Sequence, residues 1–284
     1  MAHLTAGLGL KAEHFDAALG CRAEGLWFEV HAENYMVGGG PRLAWLDAIR
    51  ERHPISLHGV SMSLASTCAP DTATLAALAR LVHRIDPARV SEHLAWSRFA
   101  GTSFPDLLPF ARTAESLQCV AANVGRVQDA IGRSIAIENP SHYLALDGHE
   151  WSEIEFLDEI ARRSGCTLLL DINNVHVGAN NLGYDAAAWL DAFDAERVSE
   201  IHIAGHRPDG ALGAALLIDS HDAPVSESVW SLYERFLARA GARPTLIERD
   251  AEVPAFAELM RERDRAHLLL ERARAAPVRP LIAA

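Results

Sequence analysis

Short apolar runs alternate with longer segments of helical periodicity along almost the whole chain. Runs of four or five mostly apolar residues are typical of parallel strands that are buried on both faces. The predicted strands are 7–10, 26–30, 55–59, 90–94, 134–138, 167–171, 200–203 and 244–248. The predicted helices are 42–52, 71–85, 113–131, 152–164, 185–193, 229–240 and 254–276.

Eight strands that alternate with helices over roughly 250 residues predict an α/β protein with a (β/α)8 TIM barrel. An open doubly wound sheet is the alternative, but no Gly-x-Gly-x-x-Gly motif follows the first strand. The composition does not shift along the chain, so we expect a single TIM-barrel domain over 1–276 and a frayed C-terminal tail over 277–284. The segment 205–216 is predicted to be a loop after the seventh strand.

The charge balance and the cysteines narrow the possible function classes. The chain has 26 Lys and Arg residues against 38 Asp and Glu residues, and the resulting net charge of −12 disfavours a general nucleic-acid partner. No uncharged apolar stretch reaches the ~18 residues of a membrane span. The N-terminus lacks a signal-peptide pattern, so we expect a cytoplasmic protein with no membrane partner. The four cysteines form no Cys-x-x-Cys pair, which disfavours a disulfide scaffold.

Histidines and carboxylates collect at the predicted C-terminal ends of the strands, where TIM barrels carry their chemistry. A single histidine at a strand end is more often a hydrogen-bonded core residue than a ligand. Repeated burial of such groups without partners is costly, however, and bound metal ions are the simplest explanation. The predicted metal-binding residues are His58, His93, Glu138, Asp171, Asn173, His176, His202, Asp219, His221 and Glu248.

The order of the strands suggests how these ligands divide among ions. One ion is expected on His58, His93 and Glu138, and a second on Glu138, Asp171, His202 and Glu248, with Glu138 bridging the two ions. A third ion is expected on His176, Asp219 and His221, which we place in loops outside the strand ends. Imidazole and carboxylate ligands without thiolate suit iron, zinc or manganese, and the ligand set alone does not choose among these metals.

Several polar residues near the second and seventh strands are candidates for the substrate pocket. Glu29, His31, Glu33 and Asn34 follow one another closely; they line a pocket, orient the metal ligands, or form a polar loop on the barrel mouth. His206 lies in the loop after the seventh strand, and we favour the pocket for it. His31, Asn34 and His206 are therefore our candidate catalytic residues.

Nine segments together resemble a known family. They are GLGLKAEH (7–14), FEVHAENY (28–35), LHGV (57–60), SEHLAWS (91–97), DLLP (106–109), ENPS (138–141), LDINNVH (170–176), EIHIAGH (200–206) and IDSH (218–221). The chain resembles the multinuclear non-heme iron-dependent oxidative enzymes, which include the iron enzyme of methanobactin biosynthesis. One departure is His142, which stands where we expect a second serine after Ser141.

The resemblance implies more than the residues themselves do. It implies a TIM barrel of the xylose-isomerase and endonuclease IV type that holds two or three iron ions. It also implies that the protein is an oxidoreductase, which activates O2 to modify Cys residues of a ribosomally synthesised precursor peptide. A separate small partner protein is expected to bind the leader of that peptide.

Three other functions compete with this interpretation. The order of the ligands is similar to that of endonuclease IV, so a trinuclear-metal phosphodiester hydrolase is the main alternative. Basic residues do not cluster near the predicted barrel mouth, and the detailed motifs favour the oxidative family. A sugar isomerase commonly uses a catalytic lysine or a His–Asp pair, and the sole lysine here is Lys11. A metal-storage protein would need neither an open coordination position nor a pocket.

Overall fold

Eight parallel strands close into a barrel in the computed structural model, which describes residues 3–99 and 101–275. The strands of the described residues are β1 (Ala6–Gly9), β2 (Phe28–His31), β3 (Ile55–Gly59), β4 (Arg89–His93), β5 (Trp96–Phe99), β6 (Thr102–Leu108), β7 (Ala136–Glu138), β8 (Thr167–Asp171), β9 (Val198–Ala204), β10 (Arg207–Asp209), β11 (Gly213–Ile218) and β12 (Thr245–Glu248). Around the barrel they follow the order β1-β12-β9-β8-β7-β4-β3-β2, which confirms the predicted TIM barrel.

Helices connect the barrel strands and pack on the outside of the barrel. They are α1 (Phe15–Gly20), α2 (Pro41–Arg50), α3 (Thr72–Ile85), α4 (Ala114–Ile131), α5 (Glu153–Ser164), α6 (Ile172–Leu182), α7 (Ala186–Ala192), α8 (Glu227–Ala240) and α9 (Phe256–Ala275). Their starts are encoded locally: Asp71 caps α3, and Thr113 and Ser152 form capping boxes at α4 and α5. Gly132 and Gly165 adopt left-handed conformations that end α4 and α5.

The sequence prediction was wrong in two of the connections. Helix α6, which was not predicted, begins directly after Asp171, so His176 lies on a helix rather than in a loop. The segment 205–216 is not a plain loop, because β10 and β11 form an antiparallel hairpin there. A second hairpin, β5–β6, follows β4. Both hairpins project from the C-terminal ends of barrel strands, where insertions do not interrupt the barrel's hydrogen bonds.

Arg263 fastens the opposite, N-terminal end of the barrel. This α9 residue is only 2% exposed, and its Nε donates to the Ala6 carbonyl at 3.0 Å. Its Nη2 donates to Thr5 Oγ1 at 3.1 Å and also to the Glu24 carbonyl. The last helix therefore holds the first strand and the connection before β2 in place through one buried cation.

None of the helices within the described residues is sufficiently long and apolar to cross a membrane. The predicted tail, 277–284, lies outside the described residues, and the limits of the 1–276 domain stay a prediction.

Replacing Arg263 with Ala should lower the free energy of unfolding by about 3 kcal/mol, because buried carbonyls lose a charged donor. Urea denaturation followed by circular dichroism measures this change. Arg261→Ala is the matched control on the same helix, since the Arg261 side chain is 77% exposed. Equal stability of the two variants would contradict the role given to Arg263.

Candidate metal centre

Strand register brings the predicted ligands together at the C-terminal end of the barrel. His93 lies opposite Glu138 where β4 pairs with β7, and Asp171 lies opposite His202 where β8 pairs with β9. Because the strands are parallel and closed into a ring, residues at their ends surround one central point. Glu138, Asp171 and His202 are all buried there.

His58, His93 and Glu138 form the first group of converging ligand atoms. His58 Nε2 lies 3.2 Å from Glu138 Oε2, and His93 Nε2 lies 3.5 Å from the same oxygen. The two Nε2 atoms are 3.4 Å apart. Three potential ligand atoms from three neighbouring strands thus face one position.

The opposite nitrogens of both rings are held by hydrogen bonds. His93 Nδ1 donates to the Gly59 carbonyl at 2.9 Å, so its Nε2 keeps a lone pair in the neutral ring. His58 Nδ1 lies 2.7 Å from Ser91 Oγ. Such partners fix the orientation of metal-binding imidazoles.

The second group shares Glu138 with the first. Glu138, Asp171 and His202 bring ligand atoms within 4.8 Å of one another, and so do Asp171, His221 and Glu248. His202 Nδ1 lies 3.3 Å from Glu248 Oε2. Glu138 therefore belongs to both ligand groups, and its bridging role stays a prediction.

Two asparagines hold Asp171 in position. Asp171 Oδ1 accepts from the Asn174 backbone N–H at 2.6 Å, which caps α6, while its Oδ2 is buried without a hydrogen bond. Asn139 accepts from the Asp171 N–H at 2.8 Å and donates to the Asp171 carbonyl at 3.0 Å. Asn174 Nδ2 also donates to Glu138 Oε1 at 3.3 Å. Sequence reasoning did not assign a role to either asparagine.

The remaining predicted ligands lie farther out. Asp219 Oδ1 is 2.7 Å from His221 Nε2 and accepts from Asn173 Nδ2 at 2.7 Å. His206 Nδ1 lies 2.8 Å from Asn173 Oδ1, so this candidate catalytic residue contacts the outer group. His176 packs beside His206 with ring centroids 4.7 Å apart; it belongs to none of the convergent ligand groups within the described residues.

Two buried carboxylates lie on the inner side of His202. Its Nε2 is 3.4 Å from Glu29 Oε1 and 3.8 Å from Glu200 Oε1. Glu29 was one of the residues with open alternatives, and its place beside this ring favours an orienting role. Glu200 was missed. It precedes His202 by two residues, so the two-residue period of a strand puts both side chains on the same face.

A cavity of about 180 Å³ opens beside Glu248. His31 and Asn34 line it, together with Lys11 and Asp250. Asp250 pairs with Lys11 and lies 3.3 Å from His221 Nδ1. Sequence reasoning missed Asp250, although its position two residues after Glu248 was an available signal. Glu33 lies elsewhere, where its Oε1 accepts from the Val60 and Ser61 backbone N–H groups, both at 2.9 Å.

Burial and close charges shift the pKa values of these groups strongly. Burial lowers the pKa of His58, but Glu138 and Glu29 outweigh it and raise that pKa to about 10. Burial raises the pKa of Glu138, but His93 and His58 outweigh it and bring that pKa to about 2. Burial and the neighbouring Glu138 carboxylate together hold the pKa of Asp171 well above its usual range.

The unpaired buried atoms fit a bound cation. Within the described residues, Glu138 Oε2, Asp171 Oδ2 and both ring nitrogens of His202 are buried without a hydrogen-bond partner. Unpaired polar atoms of this kind are rare in folded proteins and need an explanation. Imidazole nitrogens and carboxylate oxygens are the donor set of iron, zinc and manganese, so the residues present suit such an ion.

Residues 5–271 match the family model described as "RiPP precursor modification enzyme MbnB/TglH/ChrH", where a RiPP is a ribosomally synthesised and post-translationally modified peptide. The chain belongs to the MbnB/TglH/ChrH family. Membership indicates an enzyme, and it confirms the resemblance inferred from the sequence motifs.

Full-length relatives agree with the family assignment. A "UPF0276 protein" of Caulobacter sp. (strain K31) is 59% identical over 266 residues, which cover 94% of this chain and 96% of the relative. Another UPF0276 protein, from Bordetella bronchiseptica, is 47% identical over 268 residues, which cover 94% of this chain and 93% of the relative.

Solved structures with low sequence identity share the fold alone. A D-tagatose 3-epimerase-like protein has a TM-score of 0.58 and 14% identity, with 95% of this chain and 99% of that chain covered. Endonuclease IV from Thermus thermophilus has a TM-score of 0.55 and 17% identity, with 94% of this chain and 99% of that chain covered. Both likenesses bear out the predicted type of TIM barrel.

Replacing Glu138 with Ala should remove more than one equivalent of metal, because Glu138 faces both ligand groups. Replacing His58 with Ala should remove about one equivalent, since His58 belongs to the first group only. Elemental analysis of the folded variants measures the difference, with circular dichroism to confirm folding. An equal loss in both variants would count against a bridging Glu138.

Metal binding should release protons and should strengthen as the pH rises. The pKa of His58 is raised to about 10, so below that pH the ring binds a proton that the metal must displace. Isothermal titration calorimetry in buffers of different ionisation enthalpy counts the released protons. His58→Asn should release about one proton fewer. An affinity that does not change between about pH 7 and pH 9 would sink this expectation.

Proposed function

We propose that this protein uses iron and O2 to oxidise Cys residues of a ribosomally synthesised precursor peptide. The observation that carries the proposal is the pair of ligand groups joined at Glu138, set beside an open cavity in a member of the MbnB/TglH/ChrH family. Two or three iron ions would occupy the centre. One ion would bind His58, His93 and Glu138. A second ion would bind Asp171, His202 and Glu248, and Glu138 would bridge it to the first.

Asn173, Asp219 and His221 are proposed to hold the third ion, with His176 beside them. Asp219 and His221 are 2.7 Å apart, which supports a shared ligand role. Iron, when bound, supplies O2 activation and a coordination position for a Cys thiolate. The protein's own groups set where that thiolate can arrive, because the ligand groups lie at the barrel mouth.

His31, Asn34 and His206 are proposed to position the peptide. His31 and Asn34 line the cavity that reaches Glu248, and the His31 Nε2 atom lies 3.8 Å from Asp250 Oδ2. His206 lies against Asn173 in the outer group. A peptide that crosses the mouth between the cavity and His206 would bring a Cys side chain over the ligand groups.

The distribution of exposed apolar side chains supports a protein partner. Nine large apolar side chains of the described residues are exposed, and eight of them follow the C-terminal ends of barrel strands. These eight are Val37, Phe99, Phe104, Leu107, Tyr143, Leu144, Leu182 and Leu212. Apolar residues gathered on one face mark an interaction surface. We propose that a separate small leader-binding protein docks at this mouth.

The four unpaired cysteines suit a reducing cytoplasm.

Co-expression with the precursor peptide and its partner should change the peptide mass by an oxidative loss of hydrogens or a related shift. The change should disappear without O2, and it should fall by more than about 100-fold in His93→Ala and Asp171→Ala, because even the outer partners of metal ligands cost about 10- to 100-fold. Mass spectrometry of the peptide measures the conversion.

His83→Ala is the matched control for the histidine variant, because His83 is exposed on the outer helix α3. Iron-free protein loaded with zinc should make no product. If the zinc form makes the same product, the oxidative mechanism is wrong. If the zinc form instead cuts abasic DNA efficiently, a phosphodiester hydrolase takes its place.

A further inference from the structure

A second cavity, of about 290 Å³, lies outside the metal centre. It is bounded by the loop between β7 and α5 and by the ends of α6 and α7, and it shares no lining residue with the cavity beside Glu248. Leu144, Leu182 and Trp189 form apolar parts of its wall, while Arg112, His142 and Glu153 supply polar groups.

The carboxylate of Glu153 already has a partner in this cavity, whereas the terminal nitrogens of Arg112 do not. His142 Nε2 lies 2.9 Å from Glu153 Oε1. Arg112 donates through Nε to the Trp151 carbonyl at 3.2 Å. Its two terminal nitrogens make no hydrogen bond or ion pair with any of the described residues. A half-buried guanidinium in the wall of this open cavity thus keeps unused donors.

The chemistry of the unused donors defines the ligand. Terminal guanidinium nitrogens bind a carboxylate through two parallel hydrogen bonds, and a partly desolvated guanidinium gains most from an anionic partner. The apolar walls suit a hydrocarbon group beside that anion. Burial lowers the pKa of the Arg112 guanidinium by more than the nearby Glu153 carboxylate raises it, and a carboxylate bound directly to Arg112 would offset the remaining cost.

We propose that this cavity binds a carboxylate carried on an aliphatic or aromatic group, with Arg112 receiving the carboxylate. Leu144 and Leu182, which are 52% and 37% exposed, stand at its rim and would be covered by the apolar part of the ligand. The carboxylate belongs either to an acidic or C-terminal residue of the precursor peptide, which rests on the proposed function, or to a free organic acid.

The cavity shares a loop with the metal centre. Asn181 Nδ2 donates to the His142 carbonyl at 3.0 Å, and the neighbouring Tyr143 hydroxyl accepts from the Asp219 backbone N–H at 3.1 Å. A peptide held at Arg112 would therefore lie at the same end of the barrel as the ligand groups, which makes the peptide an accessible source of the carboxylate.

Binding of a matched pair of probes tests the site itself. N-acetylphenylalanine and its C-terminal amide differ only in whether the terminal group is a carboxylate or a neutral carboxamide, and isothermal titration calorimetry measures both dissociation constants. The acid should bind at least about tenfold more tightly than the amide. Arg112→Lys, which keeps the charge but loses the paired donors, should raise the dissociation constant of the acid about fivefold to tenfold.

A rim variant keeps the test independent of Arg112 and of folding. Leu182→Asp places a like charge beside the carboxylate and should also lower the affinity for the acid. Leu212→Asp, at a 62% exposed position outside the cavity, should leave that affinity unchanged. Equal affinity for acid and amide, no binding of either, or an unchanged affinity in Arg112→Lys would each overturn the proposal.

Kinetics with the precursor peptide then identify the source of the carboxylate. If it belongs to the peptide, Arg112→Lys should raise KM about fivefold to tenfold and leave kcat unchanged. If it belongs to a free acid, Arg112→Lys should weaken acid binding and keep the wild-type KM. A wild-type protein that modifies no peptide would refute the proposed function, while the probe experiment would still decide whether the cavity binds carboxylates.

Discussion

Glu138 and Asp171 each bury a carboxylate oxygen that makes no hydrogen bond in the described part of the chain, and the converging ligand groups surround these two oxygens. Removing a charge from water without a partner costs several kcal/mol. The opposite end of the barrel and its apolar wall must supply the stability that this end lacks. Arg263, which is buried and hydrogen-bonded through all three of its nitrogens, is part of that supply. Stability and chemistry are thus located at opposite ends of the same strands.

The barrel was predictable because its strands are short and strongly apolar. Residues 167–171 and 55–59 were predicted with the bounds that the structure shows. Helix α6 was not predictable in the same way, because Ile172–Leu182 contains four asparagines and a glycine, which favour turns. It forms because Asp171 caps its first turn and because Val175 and Val177 bury their side chains, and both causes depend on the finished barrel.

The candidate site was predictable as far as the strand ends define it. His58, His93 and Glu138 converge as the order of the strands implied. Glu200 could not be predicted because it lies inside an apolar strand. Its role follows only from the His202 ring, which lies beside it in the folded barrel. Side chains such as Asn173 and His206 find each other across separate connections, and no spacing rule in the sequence gives the 2.8 Å contact between them.

Ser91 and the Gly59 carbonyl hold the outer nitrogens of His58 and His93, so the inner nitrogens converge before any ion arrives. A centre assembled in advance accepts the first suitable ion that reaches it. Sites built from imidazole and carboxylate bind zinc more tightly than ferrous iron, so affinity alone does not exclude zinc. An iron enzyme with this centre therefore depends on the supply of metals in the cell at the time of its synthesis. If the centre holds iron, as proposed, iron starvation would fill it with zinc, which cannot change its oxidation state.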